Sequence, residues 1–215
     1  SGARLPKVGQ PVRRATAQAL GTLAAALEAI CAIPPAPDAR SRLDSVALEA
    51  ACELDNLPAL FESALAWRVT EAPMRAAMLG WCLSRPALRD VALVQWAGDQ
   101  RRGGRAAQAQ RRWEQGEEYP ADLACVLWGE GPRPDAARLE SALTLVREVA
   151  ALMPKSRRPG PLAVCGWLSW ALGRSSHASR YAAMALAIDR RHGLADIVRS
   201  FTDAGHLPDW AFQPR

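Results

Sequence analysis

The sequence lacks the residue patterns on which most small metal sites and disulfide frameworks are built. It has only three histidines, and none has a His, Cys or Glu neighbour at metal-ligand spacing. Its five cysteines are odd in number and widely spaced, with no C-x-x-C pair. We therefore predict no metal site and no disulfide framework, and we expect the reducing environment of the cytoplasm.

The motifs of common catalytic sites are also absent. There is no G-x-S-x-G nucleophile motif, no G-x-x-x-x-G-K-[ST] phosphate loop and no G-x-G-x-x-G after a strand. Glu114, Glu117 and Glu118 stand in a polar stretch beside five arginines, where burial cannot tune their pKa values for acid–base work. We interpret them as local charge balance. The chain is predicted not to be an enzyme, with no catalytic residue and no cofactor.

Long apolar runs are missing as well. No stretch approaches the roughly 18 uncharged apolar residues of a membrane span. The start, SGARLPKVGQP, lacks the apolar core of a signal peptide, and Ser1-Gly2 resembles an expression-tag remnant. We predict a tag remnant and disordered start over residues 1–9. A single helical domain then follows over residues 10–215, as the C-terminal part of a longer protein.

Lysine is scarce, although the chain is basic. Of the 27 basic residues, two are lysines, Lys7 and Lys155, and the other 25 are arginines. Abundant alanine accompanies the arginine. This bias favours a GC-rich genome as the cause of the net charge of +5, while a surface selected to bind polyanions is the alternative.

Ala and Leu dominate the remainder, and apolar residues follow the period of an α-helix along most of the chain. The clearest amphipathic stretch has apolar residues at steps of 4, 3, 4 and 3, at Leu139, Leu143, Val146, Ala150 and Met153. No apolar–polar alternation of the strand type occurs. The sequence therefore predicts an all-α fold.

Residues 99–120 are the exception to this regularity. Gly103-Gly104 disfavours the start of a helix, so we predict an irregular loop. Five arginines lie in this region, at Arg101, Arg102, Arg105, Arg111 and Arg112. On a helix, Arg101, Arg105, Gln108 and Arg112 would share one face and grip phosphates, while Trp113 at its end would stack a base. A flexible surface loop, or contact with protein, is the alternative.

Eight tryptophans are many for 215 residues. Most fall on apolar helical faces and are predicted to lie in the core. Trp210, in LPDWAF near the end of the chain, is the candidate for an exposed partner contact. The alternative is that Trp210 packs on the last helical hairpin.

The C-terminal region has small residues at the spacing of a tetratricopeptide repeat. Gly166, Ala178 and Ala185 are separated by 12 and then 7 residues, and Asp189 follows as an acidic helix end. Arg190 stands where that repeat usually has proline. We interpret the region as one tetratricopeptide-like helical hairpin inside an irregular bundle.

The same region carries a wider resemblance. Its motifs are a Trp-containing apolar helix, a turn at Gly173, the run ALAID at 185–189, and AGHLPDW at 204–210. Together with RPALRDVALVQWAG at 85–98, they resemble the C-terminal part of an actinobacterial family, domain-of-unknown-function family 4192. The resemblance covers residues 40–212. It implies a helical fold and brings no established activity.

These observations predict an all-α, irregular helical bundle with a tetratricopeptide-like C-terminal hairpin. The predicted function is a non-enzymatic interaction or scaffold module that docks a protein partner or its own N-terminal domain. The alternative is a nucleic-acid-associated protein that contacts phosphates through the arginines of residues 101–112. A third hypothesis is an enzyme whose chemistry lies in an N-terminal portion outside this sequence.

Overall fold

The computed structural model describes residues 3–31 and 44–213. Within these residues the chain folds into α-helices and contains no β-strand, which confirms the predicted all-α bundle. The helices, in chain order, are α1 (Gln10–Cys31), α2 (Ser45–Glu53), α3 (Leu57–Ala64), α4 (Pro73–Leu83), α5 (Pro86–Ala97), α6 (Gln100–Glu114), α7 (Ala121–Leu127), α8 (Ala136–Leu152), α9 (Pro159–Ala171), α10 (Ser175–Leu186) and α11 (Gly193–Asp203).

Several helices begin at residues that satisfy or tolerate the free N–H groups of a first turn. Asp44 precedes α2, and its Oδ1 accepts a hydrogen bond from Ala47 N at 2.9 Å. Asp135 precedes α8 and accepts from Ala137 N at 2.8 Å. Helices α4, α5 and α9 each have a proline in the first turn, where no N–H is needed. Local sequence therefore sets most of these boundaries.

Helix α9 lies at the centre of the C-terminal half, and every one of its residues is buried. It packs against α8, α10 and α11, as a helix that is apolar on all sides must. The indole Nε1 of Trp167 donates to the carbonyl of Leu127 at 3.0 Å, and that of Trp170 donates to the carbonyl of His206 at 2.8 Å. Both large side chains are thus buried without an unpaired indole N–H.

Helices α9 and α10 form a tight hairpin. A Cβ placed on Gly166 would lie 3.3 Å from Val198 Cγ1 and 3.4 Å from the carbonyl oxygen of Ala178, so a larger residue would force α10 and α11 away. Ala178 and Ala185 are fully buried on the facing side. The predicted small residues do occupy close-packing positions. The likeness of this hairpin to a tetratricopeptide repeat stays a prediction.

The N-terminal segment corrects one expectation. Residues 1–9 are predicted to be disordered, but residues 3–9 pack against the bundle; residues 1 and 2 lie outside the described part. Ala3 is buried, Leu5 and Val8 contact the core, and the carbonyl of Arg4 accepts a hydrogen bond from Arg147 Nη2 at 2.7 Å. An extended segment with apolar residues at intervals can gain enough burial to be held on a helical surface.

A second correction concerns residues 99–120. The predicted irregular loop is wrong for residues 100–114, which form α6; only Asp99 and residues 115–120 are non-helical. Asp99 caps this helix, since its Oδ1 accepts from Arg102 N at 2.7 Å. Gly103 is buried against Gln95 of α5, where a Cβ would lie 2.0 Å from Gln95 Oε1. The glycine that disfavours helix locally is required by packing between α5 and α6.

Candidate functional site

Helix α6 brings part of the predicted arginine cluster onto one face. Arg101, Arg105 and Arg112 are exposed, and their steps of 4 and 7 residues place them along one side of the helix together with Gln108. From Arg101 to Arg112 this side extends about 16 Å, at the helical rise of about 1.5 Å per residue. The sequence predicts this shared face only if the residues form a helix, and in the structure they do.

The first turns of α6 are fastened to the start of α7. Arg105 Nη2 lies 2.9 Å from Asp122 Oδ2, and Arg102 Nη2 donates to the carbonyl of Asp122 at 2.8 Å. Both charged side chains of the Arg105–Asp122 pair are about half exposed, so the pair adds no more than about 1 kcal/mol to stability. The two contacts hold the guanidinium groups of Arg102 and Arg105 in position, and the ion pair also neutralises the charge of Arg105.

An open cleft lies between the start of α6 and the loop that precedes α8. Its volume is about 580 Å³, and four arginines line it: Arg101, Arg102, Arg105 and Arg133. We call it the arginine cleft. Arg133 donates from Nε and Nη2 to the carbonyl of Trp210, at 3.0 and 2.7 Å, and from Nη2 to the carbonyl of Gln213. The sequence offered no signal for Arg133, a single arginine between prolines in a loop.

The remaining members of the predicted cluster lie elsewhere. Arg111 and Arg112 are exposed near the end of α6, about 15 Å along the helix from Arg101. Trp113 is 56% exposed, but it is rotated by about 100° around the helix from Arg112 and lines a separate hollow with Pro86 and Tyr119. The expected combination of a phosphate grip with a stacking indole on one face does not form.

Trp210, the predicted exposed partner contact, is buried. Its side chain is 3% exposed, its ring lies 6.3 Å from that of Trp170, and its Nε1 donates to the carbonyl of Ala171 at 3.0 Å. The expectation of a partner contact is corrected: Trp210 packs on the end of the α9–α10 hairpin. Local sequence cannot distinguish the two, because the covering surface comes from about 40 residues earlier in the chain.

A different tryptophan supplies exposed apolar surface. Trp128, just after α7, is 51% exposed, and its ring meets that of Phe201 edge-on at a centroid distance of 5.7 Å. Ile197, one turn before Phe201 on α11, is 38% exposed. Phe201 is only 8% exposed, so in what we call the aromatic patch Trp128 and Ile197 supply the exposed surface and Phe201 supplies the base. Phe201 in turn stacks on buried Trp170 at 4.6 Å, so the patch has a rigid base.

One ion pair is partly shielded from solvent. Arg138 of α8 makes a bidentate contact to Glu62 of α3, at 2.7 and 2.5 Å, and the Nε2 of buried Gln95 donates to the same carboxylate at 2.9 Å. The hydrogen bond from Arg138 lowers the pKa of Glu62 below its usual value, against an opposing effect of burial. These hydrogen bonds and the ion pair join α3, α5 and α8.

His192, Cys82 and Cys165 have surroundings that indicate structural roles. His192 caps α11, with its Nδ1 accepting from Ala195 N at 3.3 Å, and burial lowers its pKa. Burial raises the pKa of the Cys82 thiol to about 12 and that of Cys165 further still. Among the residues that the structure describes, no three His, Cys, Asp or Glu side chains are placed to hold a metal ion.

Comparison with models of protein families, with curated proteins and with solved structures finds no match for this chain. The resemblance to domain-of-unknown-function family 4192 therefore stays a hypothesis based on the motifs quoted above. Over residues 3–31 and 44–213, no helix is both long enough and apolar enough to cross a membrane.

Proposed function

We propose that this chain is a non-enzymatic helical module that docks a protein surface, in a separate partner or elsewhere in its own polypeptide, through the aromatic patch. The observation that carries the proposal is the half-exposed indole of Trp128 on a buried aromatic base. Tryptophans of this kind are over-represented among the residues that dominate binding energy at protein interfaces. Ile197, one helical turn from Phe201 on α11, is also partly exposed.

The rigidity of the patch supports a docking role. Phe201 is held between Trp128 and Trp170, and Trp170 is fixed by its hydrogen bond to the carbonyl of His206. A surface that is already ordered loses little conformational entropy on binding, so more of the contact energy appears as affinity.

The state of the titratable groups supports a role without catalysis. The thiols of Cys82 and Cys165 have raised pKa values and are buried, which disfavours a nucleophilic thiolate. The lowered pKa of Glu62 is explained by its ion pair with Arg138. All five cysteines are free, which is consistent with the cytoplasm as the proposed compartment.

The test uses two tryptophans of nearly equal exposure as a matched pair. Trp128→Ala removes the proposed anchor, whereas Trp113→Ala removes a 56% exposed indole on α6. Both variants should stay folded, and each is compared with the unchanged protein by affinity purification from the source cells, with quantification of co-purified proteins. We expect a partner to be lost with Trp128→Ala and kept with Trp113→Ala. Equal recovery with both variants would rule out the aromatic patch as the docking surface.

A second candidate is contact with nucleic acid, favoured by the exposed arginine face of α6. Arg101 and Arg112 form no ion pair among the described residues, and Gln108 lies between them. Exposed Glu114, Glu117 and Glu118 follow at the end of the helix and would repel phosphates there. In anisotropy titrations with DNA and RNA across salt concentrations, Arg112→Gln should weaken binding and reduce the salt slope by about 1. Binding that is absent at low salt would dismiss this candidate.

A further inference from the structure

We propose that the arginine cleft binds the phosphate group of a small organic phosphomonoester. This ligand site is independent of protein docking at the aromatic patch. It shares Arg101, Arg102 and Arg105 with the nucleic-acid candidate, and competition with an oligonucleotide separates the two.

The arginines that line the cleft come from two separate parts of the chain. Three lie on the first turns of α6, and Arg133 comes from the loop before α8. Arg102 is held by the carbonyl of Asp122, and Arg133 is held by the carbonyls of Trp210 and Gln213. Guanidinium groups that are fixed in advance lose little freedom on binding, and their planar donors match the oxygens of a phosphate.

The lining carries an excess of positive charge. Arg105 is paired with Asp122, and the other three arginines face two aspartates, Asp99 and Asp135, which leaves a formal excess of one positive charge. Each aspartate already accepts hydrogen bonds as a helix cap, Asp99 from Arg102 N and Asp135 from Ala137 N. A phosphomonoester carries about −1.5 to −2 at pH 7, so it would be attracted by this excess charge and could accept hydrogen bonds from the guanidinium groups.

The volume and the apolar part of the lining favour an organic ester over inorganic phosphate. Its volume of about 580 Å³ lies within the range of small-molecule sites, roughly 300–1,000 Å³, and far exceeds what a single phosphate needs. The remaining lining is mostly apolar, with Ala97, Gly98, Pro132 and Pro134. Two proline rings beside the arginines offer a wall for the carbon portion of the ligand.

Phenyl phosphate is the probe, with binding measured by isothermal titration calorimetry at low salt. Arg101 makes no ion pair or side-chain hydrogen bond among the described residues, so Arg101→Gln should leave the fold intact and lower affinity at least about tenfold. Arg111→Gln, which removes the same charge about 15 Å away on the same helix, should leave affinity within about twofold.

A third variant should change affinity in the opposite direction. Asp99→Asn keeps a helix-capping side chain and removes a negative charge from the cleft, so affinity should rise several-fold. Such a gain cannot come from partial unfolding. Inorganic phosphate should bind more weakly than phenyl phosphate, because it leaves the proline wall uncovered.

Three results would overturn the proposal. The first is the absence of saturable phenyl phosphate binding, and the second is an equal loss with Arg101→Gln and Arg111→Gln. The third uses a short single-stranded oligonucleotide without a terminal phosphate. If it displaces phenyl phosphate, and Arg111→Gln weakens both ligands, then the arginines form a nucleic-acid face and the cleft is not a phosphomonoester site.

Discussion

Adding one methyl group to neighbouring glycines of α6 should have opposite effects on stability. In Gly103→Ala the new Cβ would lie 2.0 Å from Oε1 and 2.7 Å from Cβ of Gln95. Gln95 is fully buried and cannot move freely, because its Nε2 donates to the carbonyl of Pro58 and to Glu62, both at 2.9 Å. At Gly104 the corresponding position has no heavy atom within 4 Å apart from its chain neighbours and the local helix backbone.

The magnitudes follow from these contacts. Overpacking at Gly103 costs about 1–3 kcal/mol. Displacement of Gln95 from its hydrogen bonds costs about 1–3 kcal/mol more. The better helix propensity of alanine offsets about 0.5–1 kcal/mol of this loss of stability. The free energy of unfolding should therefore fall by about 3 kcal/mol in Gly103→Ala and rise by about 0.5–1 kcal/mol in Gly104→Ala.

Urea denaturation followed by far-UV circular dichroism measures both effects. Gln95→Ala provides a further check, since Gly103→Ala should cost much less in that background than in the unchanged protein. If both glycine variants stabilise the protein, or if the cost of Gly103→Ala does not depend on Gln95, then α6 is not packed against α5 through the contact of Gly103 with Gln95.

Three further predictions concern stability. His192 caps α11 in its neutral form, and its pKa in the folded protein lies below the usual value of about 6.5. Its contribution to the free energy of unfolding is therefore complete above about pH 6.5 and is lost as the pH falls through the pKa of the folded state. His192→Asn keeps the cap, so urea unfolding at pH 8 and pH 5 should no longer show this loss. Glu62→Gln leaves Arg138 partly buried without a counter-charge and should lower the free energy of unfolding by about 1–3 kcal/mol in denaturant titrations. As a control, Glu71→Gln removes one partner of an exposed ion pair and should lower it by less than about 1 kcal/mol. Ala178→Leu overpacks the α9–α10 hairpin and should cost about 1–3 kcal/mol in thermal unfolding, and a neutral result would remove the close-packing argument.

The helical architecture was accessible from the sequence because its determinants are local. Repeats of Ala and Leu at the helical period, aspartates before α2 and α8, and prolines in first turns each act within a few residues. The boundaries of α8 follow from Asp135 and from the end of its apolar stripe near Met153. In such segments propensity, period and packing agree.

The errors have the opposite cause, since each depends on a distant contact. Gly103 counts against a helix when read locally, and it becomes necessary only when Gln95 of α5 lies against it. Trp210 could be exposed or buried until the end of α9 is brought beside it. Arg133 has no neighbour in sequence that marks it, and it reaches the arginine cleft only because the loop before α8 folds next to the start of α6.

The segment from Pro208 to residue 213 limits how much aromatic surface the protein presents to water. Residues 208–213 carry Trp210 onto Trp170, supply the carbonyls that hold Arg133, and fasten the loop at Gly129, whose carbonyl accepts from Asp209 N at 2.8 Å. Truncation of the chain before Pro208 would therefore expose part of the indole of Trp170 and release the guanidinium of Arg133 at the same time. A single short segment thus couples the burial of the aromatic interior to the position of an arginine in the arginine cleft.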